Sequence, residues 1–232
     1  MRDFRAIYPL ANKNLPAFCL AGLTSSRKND GYKKMANEGL WQQLLELDGD
    51  KVAQRAKCRY LEEPARYGIT SLNRKYIINL QDKQVYSAKD SKPAGYIEEL
   101  CILAYLINSK DIPLANKLTK AEVLPGGQFF FRGLHKLDTE KLEKAFGECP
   151  ERLYKIADEF GAKRCEFGDA SIQLNVLPRI PLTMVIWQSD EEFPARASVL
   201  FDETAAEQLP LDALWSAANL AIKALIKESQ TL

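Results

Sequence analysis

The sequence predicts an α+β protein, with a mainly antiparallel sheet packed around a buried central helix and closed by an amphipathic C-terminal helix. Three observations carry the prediction. Ile97 to Ile107 is apolar on nearly every helical face, as a helix enclosed by other elements must be. Residues 172–201 hold three β-rich runs, separated by Pro and polar turns too short for crossover helices. Helical and strand runs are grouped rather than alternating as βαβ units, which argues against a doubly wound sheet.

Taken in order, residues 1–30 lack periodicity, and Thr24 to Gly31 reads as an exposed loop. Residues 31–232 read as one α+β domain, in which 31–68 offers a helical subdomain. A helix carries Trp41, Leu44 and Leu45 at i, i+3, i+4 spacing. Asp48-Gly49-Asp50 ends it, and Asp50 is placed to cap a second helix bearing Val52, Ala53 and Ala56. That pair faintly suggests a DNA-reading helix-turn-helix, but Pro64 and Gly68 interrupt the place for a recognition helix, leaving a hairpin packed on the core. Arg74 to Ser87 predicts a β-hairpin, with Tyr76, Ile78 and Leu80 alternating before the polar turn Gln81 to Gln84. The apolar helix follows Pro93, with Cys101 as a small core residue.

Further on, Asp138 can cap a helix through Leu142, Ala145 and Phe146 that Gly147 closes. Pro150 suits a first helical position, and Leu153, Ile156, Ala157 and Phe160 form a stripe ending at Gly161. Ile172, Leu174 and Val176 alternate as in a strand with one wet face. Leu182 to Trp187 is apolar throughout, as in a strand covered on both faces, and Ala197 to Phe201 supplies an antiparallel return. After Pro210 comes a helix with the stripe Leu211, Leu214, Trp215, Ala218, Ile222 and Leu225.

Composition narrows the function classes. The 32 basic residues nearly cancel the 31 acidic ones, so no long-range field steers the chain onto nucleic acid, although a local patch is compatible with it. No apolar run is long enough to span a bilayer, and the N-terminus has no secretory apolar region, so a cytoplasmic location is expected. The five cysteines, Cys19, Cys58, Cys101, Cys149 and Cys165, are odd in number and never at C-x-x-C spacing, which fits a reducing compartment and excludes a self-contained zinc or iron–sulfur motif. No phosphate-binding glycine motif and no nucleophile elbow occurs.

Two stretches could carry chemistry. His135, the single histidine, follows Gly126-Gly127, the run Phe129-Phe130-Phe131 and Arg132. An imidazole can ligate haem iron or corrinoid cobalt, and the aromatic run with Arg132 could meet a flat macrocycle and pair with its carboxylates. The competing reading is a partly exposed loop histidine beside phenylalanines inserted in the core. The other stretch is Asp190-Glu191-Glu192, between two strands, with Asp202 at the end of the second. Such carboxylates bind Mg²⁺, Mn²⁺ or Ca²⁺ or act as acid and base, provided the loop curls enough for them to converge. The alternative is a solvated acidic loop with Phe193 tucked inward, neutralised by Arg179.

The second half also presents an ordered series: Leu124-Pro125-Gly126-Gly127, Phe131-Arg132-Gly133-Leu134-His135, Gly168-Asp169-Ala170, Leu177-Pro178-Arg179-Ile180-Pro181, Asp190-Glu191-Glu192-Phe193-Pro194 and Leu200-Phe201-Asp202. Together these resemble the prokaryotic family Domain of Unknown Function 3786 over the last half to two thirds of the chain. The resemblance implies no catalytic mechanism. It implies a setting in anaerobic bacteria and archaea, where some members carry an N-terminal four-cysteine iron–sulfur domain like that of corrinoid iron–sulfur proteins. This chain lacks those cysteines, so a cluster would sit on a partner. Ser189 stands where the pattern has Gly, which questions the tightness of the turn that follows. The expectation is a non-enzymatic binding or accessory protein handling a corrinoid or haem. The alternatives are a metal-dependent enzyme using the acidic loop, and a partner docking an iron–sulfur protein through an exposed face of the C-terminal helix.

Overall fold

The computed structural model describes residues 29–231, with side chains from Asn37 onward. The irregular segment expected over 1–30 lies outside them except for Asn29 and Asp30, which already belong to α1 (Asn29–Leu45). Trp41 and Leu44 of α1 are buried, while Leu45 rolls outward, one residue too far round the helix to reach the core. Helix α2 (Gly49–Ala56) is capped by Asp48, not Asp50: Asp48 has extended backbone and accepts a bond from Lys51 N at 3.1 Å. Asp50 is already inside the first turn, where its own backbone is helical.

The helical subdomain expected over 31–68 ends at Ala56. Strands β1 (Arg59–Leu61) and β2 (Arg66–Ser71) follow, and with β3 (Arg74–Asn79) and β4 (Gln84–Ser87) they form a four-stranded antiparallel meander. The β3–β4 hairpin is the expected one, with Tyr76↔Ser87 and Ile78↔Val85 in register. Between β2 and β3 the two-residue turn Leu72-Asn73 has both residues at positive φ, as a tight hairpin demands. Leu72 tolerates it because its side chain is buried and its N–H bonds Val176 O at 3.3 Å, tying this sheet to the second one.

Helix α3 (Tyr96–Asn108) is the buried centre, with Cys101 to Leu106 all inaccessible. The two carboxylates that interrupt its apolar run are used at its entry. Glu98 accepts from Gly95 N and from the Tyr76 hydroxyl, and Glu99 accepts from Asn37 Nδ2 and Trp41 Nε1 of α1.

The second sheet contains β5 (Leu118–Lys120), β6 (Lys163–Cys165), β7 (Ala170–Leu177), β8 (Ile180–Trp187) and β9 (Arg196–Asp202), antiparallel throughout in the order β5-β9-β8-β7-β6. Strand β8 is central and buried up to Trp187, as its unbroken apolar run predicts. Strand β7 is drier than alternation suggested: Ile172, Leu174 and Val176 face the core, and only Asn175 on the opposite face is exposed. Helix α5 (Thr139–Phe146) ends at Gly147, whose backbone stays right-handed. Glycine is required there for space, because a Cβ would lie 2.3 Å from Ala195 Cβ and 2.4 Å from Glu143 O. The stripe at 153–160 forms α6 (Arg152–Ile156) and a 3-10 turn closed by left-handed Gly161. Pro150 stands two residues before α6 rather than at its first position. After the short α7 (Ala205–Gln208), α8 (Leu211–Ser229) packs between α3, α5, α6 and β7. Buried apolar residues from both sheets and all these helices form one continuous core.

Candidate functional site

The segment from β5 to α5 carries the histidine and is built from short turns: a 3-10 turn at Ala121–Val123, α4 (Gly127–Phe130) and a second 3-10 turn at Gly133–His135. The glycines serve its framework. Gly126 adopts φ 78°, and a Cβ on Gly127 would stand 2.0 Å from Ala121 O, so the chain crosses itself there with no room for a side chain or a ligand. Phe131 is buried, with its ring 6.3 Å from that of Phe201 on β9. Of the five residues expected to hold a tetrapyrrole, Gly126, Gly127 and Phe131 therefore belong to the packing, while Arg132 is exposed and His135 half-buried.

The His135 ring is held rather than loose. It stacks on Phe130 at 4.4 Å and meets Trp215 of α8 edge-on at 5.7 Å, and Trp215 Nε1 bonds Lys136 O at 3.0 Å. Among the described residues neither ring nitrogen has a hydrogen-bond partner, so in the neutral ring the one lone pair and the one N–H are both open to an outside group. Beside the histidine, a cleft of about 610 Å³ runs between this segment, the start of α5 and β9, lined by Phe131, Leu134, Lys120, Lys136, Lys141 and Ser198 among others. His135 borders the cleft without lining it.

Sequence reading missed the feature that most distinguishes this segment. Val123, Phe129 and Leu134, at 71%, 74% and 83% exposure, are the three most exposed large apolar side chains among the described residues. They lie within twelve positions of one another. The expectation that the phenylalanine run is inserted in the core holds for Phe131 and fails for Phe129. The short α4 turn points three successive rings in three directions.

The acidic residues do not make a common site. Asp190 Oδ1 accepts from Glu192 N and Phe193 N, and Asp190 N bonds Phe193 O, so the turn closes on itself and leaves Glu191 and Glu192 in solvent. Phe193 is exposed, not tucked inward. Ser189 fits this turn without the positive φ a glycine would supply, and its N–H bonds Gly147 O at 3.2 Å. Asp202 stands at the other end of β9, about 20 Å away at strand rise. It is buried and accepts from Ala115 N, Asn116 N, Thr204 N and Thr204 Oγ1. Burial acts to raise its carboxyl, but the bonds from Thr204, Ala115 and Asn116 outweigh it and hold it below the ordinary carboxylate value. Among the described residues, no three His, Cys, Asp or Glu side chains are grouped to hold a metal ion.

Arg179 is likewise elsewhere than expected. It sits in the two-residue turn between β7 and β8, at the far end of β8 from the acidic loop, and is almost wholly buried. Its guanidinium donates to Arg55 O at 2.7 Å, to Ile112 O at 2.6 Å and to the Asp111 carboxylate. Arg55 in turn donates to Leu106 O, Ile107 O and Ser109 O, satisfying the carbonyls that end α3. The two arginines lock α2, α3 and the second sheet together. Separations of 51 to 124 residues left this node without a signal in the sequence.

Along α8 only Lys223 and Lys227 are exposed, and its other positions are buried or, like Trp215, Leu220 and Ile226, half-buried against its neighbours. Cys58, Cys101, Cys149 and Cys165 are all unpaired, and burial pushes the Cys58 thiol up to about 12. No described helix is long and apolar enough to cross a membrane.

No curated protein and no solved structure matches the chain. A family model described as a domain of unknown function, DUF3786, matches residues 48–224, which takes in α2, both sheets, the His135 segment and most of α8. The chain belongs to the DUF3786 family.

Proposed function

We propose that this chain is a non-enzymatic binding or accessory protein of the cytoplasm of an anaerobe, and that the segment 121–137 is its binding surface for a tetrapyrrole, a corrinoid or haem. The observation that carries the reading is His135: an imidazole fixed between Phe130 and Trp215, with both nitrogens unpartnered among the described residues, beside three exposed apolar side chains. A metallated macrocycle needs an axial donor, apolar surface for its plane and hydrogen-bond donors for its rim, which are cations for the propionates of haem and donors to the side-chain amides of a cobalamin. His135 supplies the first, Phe129 and Leu134 the second, and Arg132 with Lys136 the third. The polar residues of the neighbouring motifs support a binding role over a catalytic one, because Asp202, Asp169 and Arg179 are spent on backbone groups.

The test is an absorption spectrum of anaerobically purified protein titrated with haem and with cobalamin. One saturating equivalent with a shifted band is expected, weakened at least about tenfold in His135→Ala. A flat titration with both, or an unchanged one in His135→Ala, overturns the assignment. The exposure of Val123, Phe129 and Leu134 favours a second reading, in which the same patch docks an iron–sulfur or corrinoid protein. Under that reading Phe129→Ser abolishes the protein complex while free tetrapyrrole leaves the spectrum unchanged.

A further inference from the structure

A different face of the molecule bears a second feature. The four-stranded sheet packs Tyr67, Ile69, Tyr76, Ile78 and Val85 inward, so its other face carries the residues between them. In register across that face run Arg59 of β1, Gly68 of β2, Ile77 of β3 and Tyr86 of β4, with Thr70 and Lys75 paired one step along. Among the described residues no helix covers this row. A groove of about 470 Å³ lies along it and shares no lining residue with the cleft near His135.

Two independent features of the groove point to a ligand. The first is Gly68. A glycine inside a strand weakens it, and is ordinarily justified by positive φ or by a neighbour too close for a Cβ. Gly68 has neither: its φ is not positive, and a Cβ there would meet nothing within 4 Å. The glycine leaves a bare floor in mid-sheet that the fold does not need. The second is charge. Lys57, Arg59 and Lys75 line the groove with no carboxylate among the lining residues, and among the described residues none of the three has an ion-pair or hydrogen-bond partner for its side chain. Elsewhere among the described residues Lys51, Lys83, Lys92, Lys110, Lys117 and Lys141 each reach a carboxylate, while others such as Lys144 and Lys223 stand unpaired as these three do. What marks the groove is that three cations line it together, over an uncovered backbone floor and without a carboxylate, which makes a local positive field.

We infer that this groove is a binding site for a small ligand carrying two or more anionic groups, phosphate or carboxylate, which rests on Gly68 between Arg59 and Lys75. Strands β1 and β3 lie about 10 Å apart across β2, and the missing side chain at Gly68 lets both long cationic side chains lean over the floor toward one ligand. Thr70 adds a hydroxyl and Ile77 an apolar wall. The volume suits a metabolite-sized molecule rather than a folded partner.

The experiment is calorimetric titration of the full chain at low salt with inorganic tripolyphosphate and, in a parallel arm, with citrate. Binding at one equivalent is expected in at least one arm, and the preferred arm identifies the anion chemistry. Arg59→Gln and Lys75→Gln should each weaken it about tenfold, and 0.3 M salt should weaken it further. Gly68→Val fills the floor with a good strand former whose Cβ meets no neighbour, so it should keep or raise the melting temperature while abolishing binding. The inference is overturned if neither probe binds wild-type protein, or if binding survives Gly68→Val in a folded variant. Tighter binding of a short oligothymidylate than of both probes, lost in Gly68→Val, also overturns it in favour of a nucleic-acid strand.

Discussion

Replacing Arg179 by alanine should cost this protein a large part of its stability, because the guanidinium is buried and each of its three nitrogens donates a bond. Three bonds disappear, to Arg55 O, Ile112 O and the Asp111 carboxylate. The two carbonyls are then left without their donor in a part-buried site, each at about 1–3 kcal/mol. Asp111 contributes less, since its side chain is 53% exposed against 4% for Arg179, and a pair open to water on one side is worth under about 1 kcal/mol. The expected loss for Arg179→Ala is therefore about 3–5 kcal/mol, set against a total of about 5–15 kcal/mol for a domain of ordinary stability. Asp111→Ala should lose less than about 1 kcal/mol, and the double variant should match Arg179→Ala within error. Urea unfolding followed by far-ultraviolet circular dichroism measures all three, with an unchanged slope showing that the unfolded state is not responsible. A loss below about 1 kcal/mol for Arg179→Ala, or equal losses for the two single variants, would refute the claim that the backbone carbonyls rather than the ion pair make this node.

Two further outcomes follow from the packing and the charges. Gly147→Ala should lower stability by at least about 2 kcal/mol, with partial recovery in the double variant with Ala195→Gly, because one of the two clashes is with Ala195 Cβ and the other with Glu143 O; thermal melts of the three variants check this. Asp202 has a folded value below its ordinary 3.8, so its stabilising contribution is complete above that value and is lost as pH falls through the lower folded one; Asp202→Asn should be less stable at neutral pH and show a shallower acid limb, read by denaturation between pH 2 and 7.

The long periodic elements were legible in the sequence. The all-round apolar run at 97–107 could only be enclosed, and it is α3; the stripe after Pro210 is α8; the unbroken run to Trp187 is the central β8. What escaped was short or distant. Strands β1 and β2 were hidden by Pro64 and Gly68, two residues that ordinarily break a strand. In the structure Pro64 lies in the turn between them, and Gly68 lies in β2 with no steric cause. Around the candidate site, sequence singled out His135 and Arg132, which are half-buried and exposed, but could not separate Phe129, Phe130 and Phe131, because a single four-residue turn sets their directions. The acidic residues failed as a group for a related reason: Asp202 and Asp190 are neighbours in a motif series, yet the full length of β9 stands between them.

The sheet margins have a consequence for how this protein can meet copies of itself. Three of the four outermost strands, β1, β5 and β6, are three residues long, and each carries Lys or Arg. The fourth, β4, is wrapped by the chain that follows it, with Ala94 N bonding Val85 O and Tyr86 bridged to Pro93. Short cationic rims and a covered rim give an incoming strand almost no ladder to extend, so runaway stacking into fibrils is blocked at the backbone level. Among the described residues, association is left to side-chain surfaces, and Val123, Phe129 and Leu134 are the most exposed large apolar side chains there.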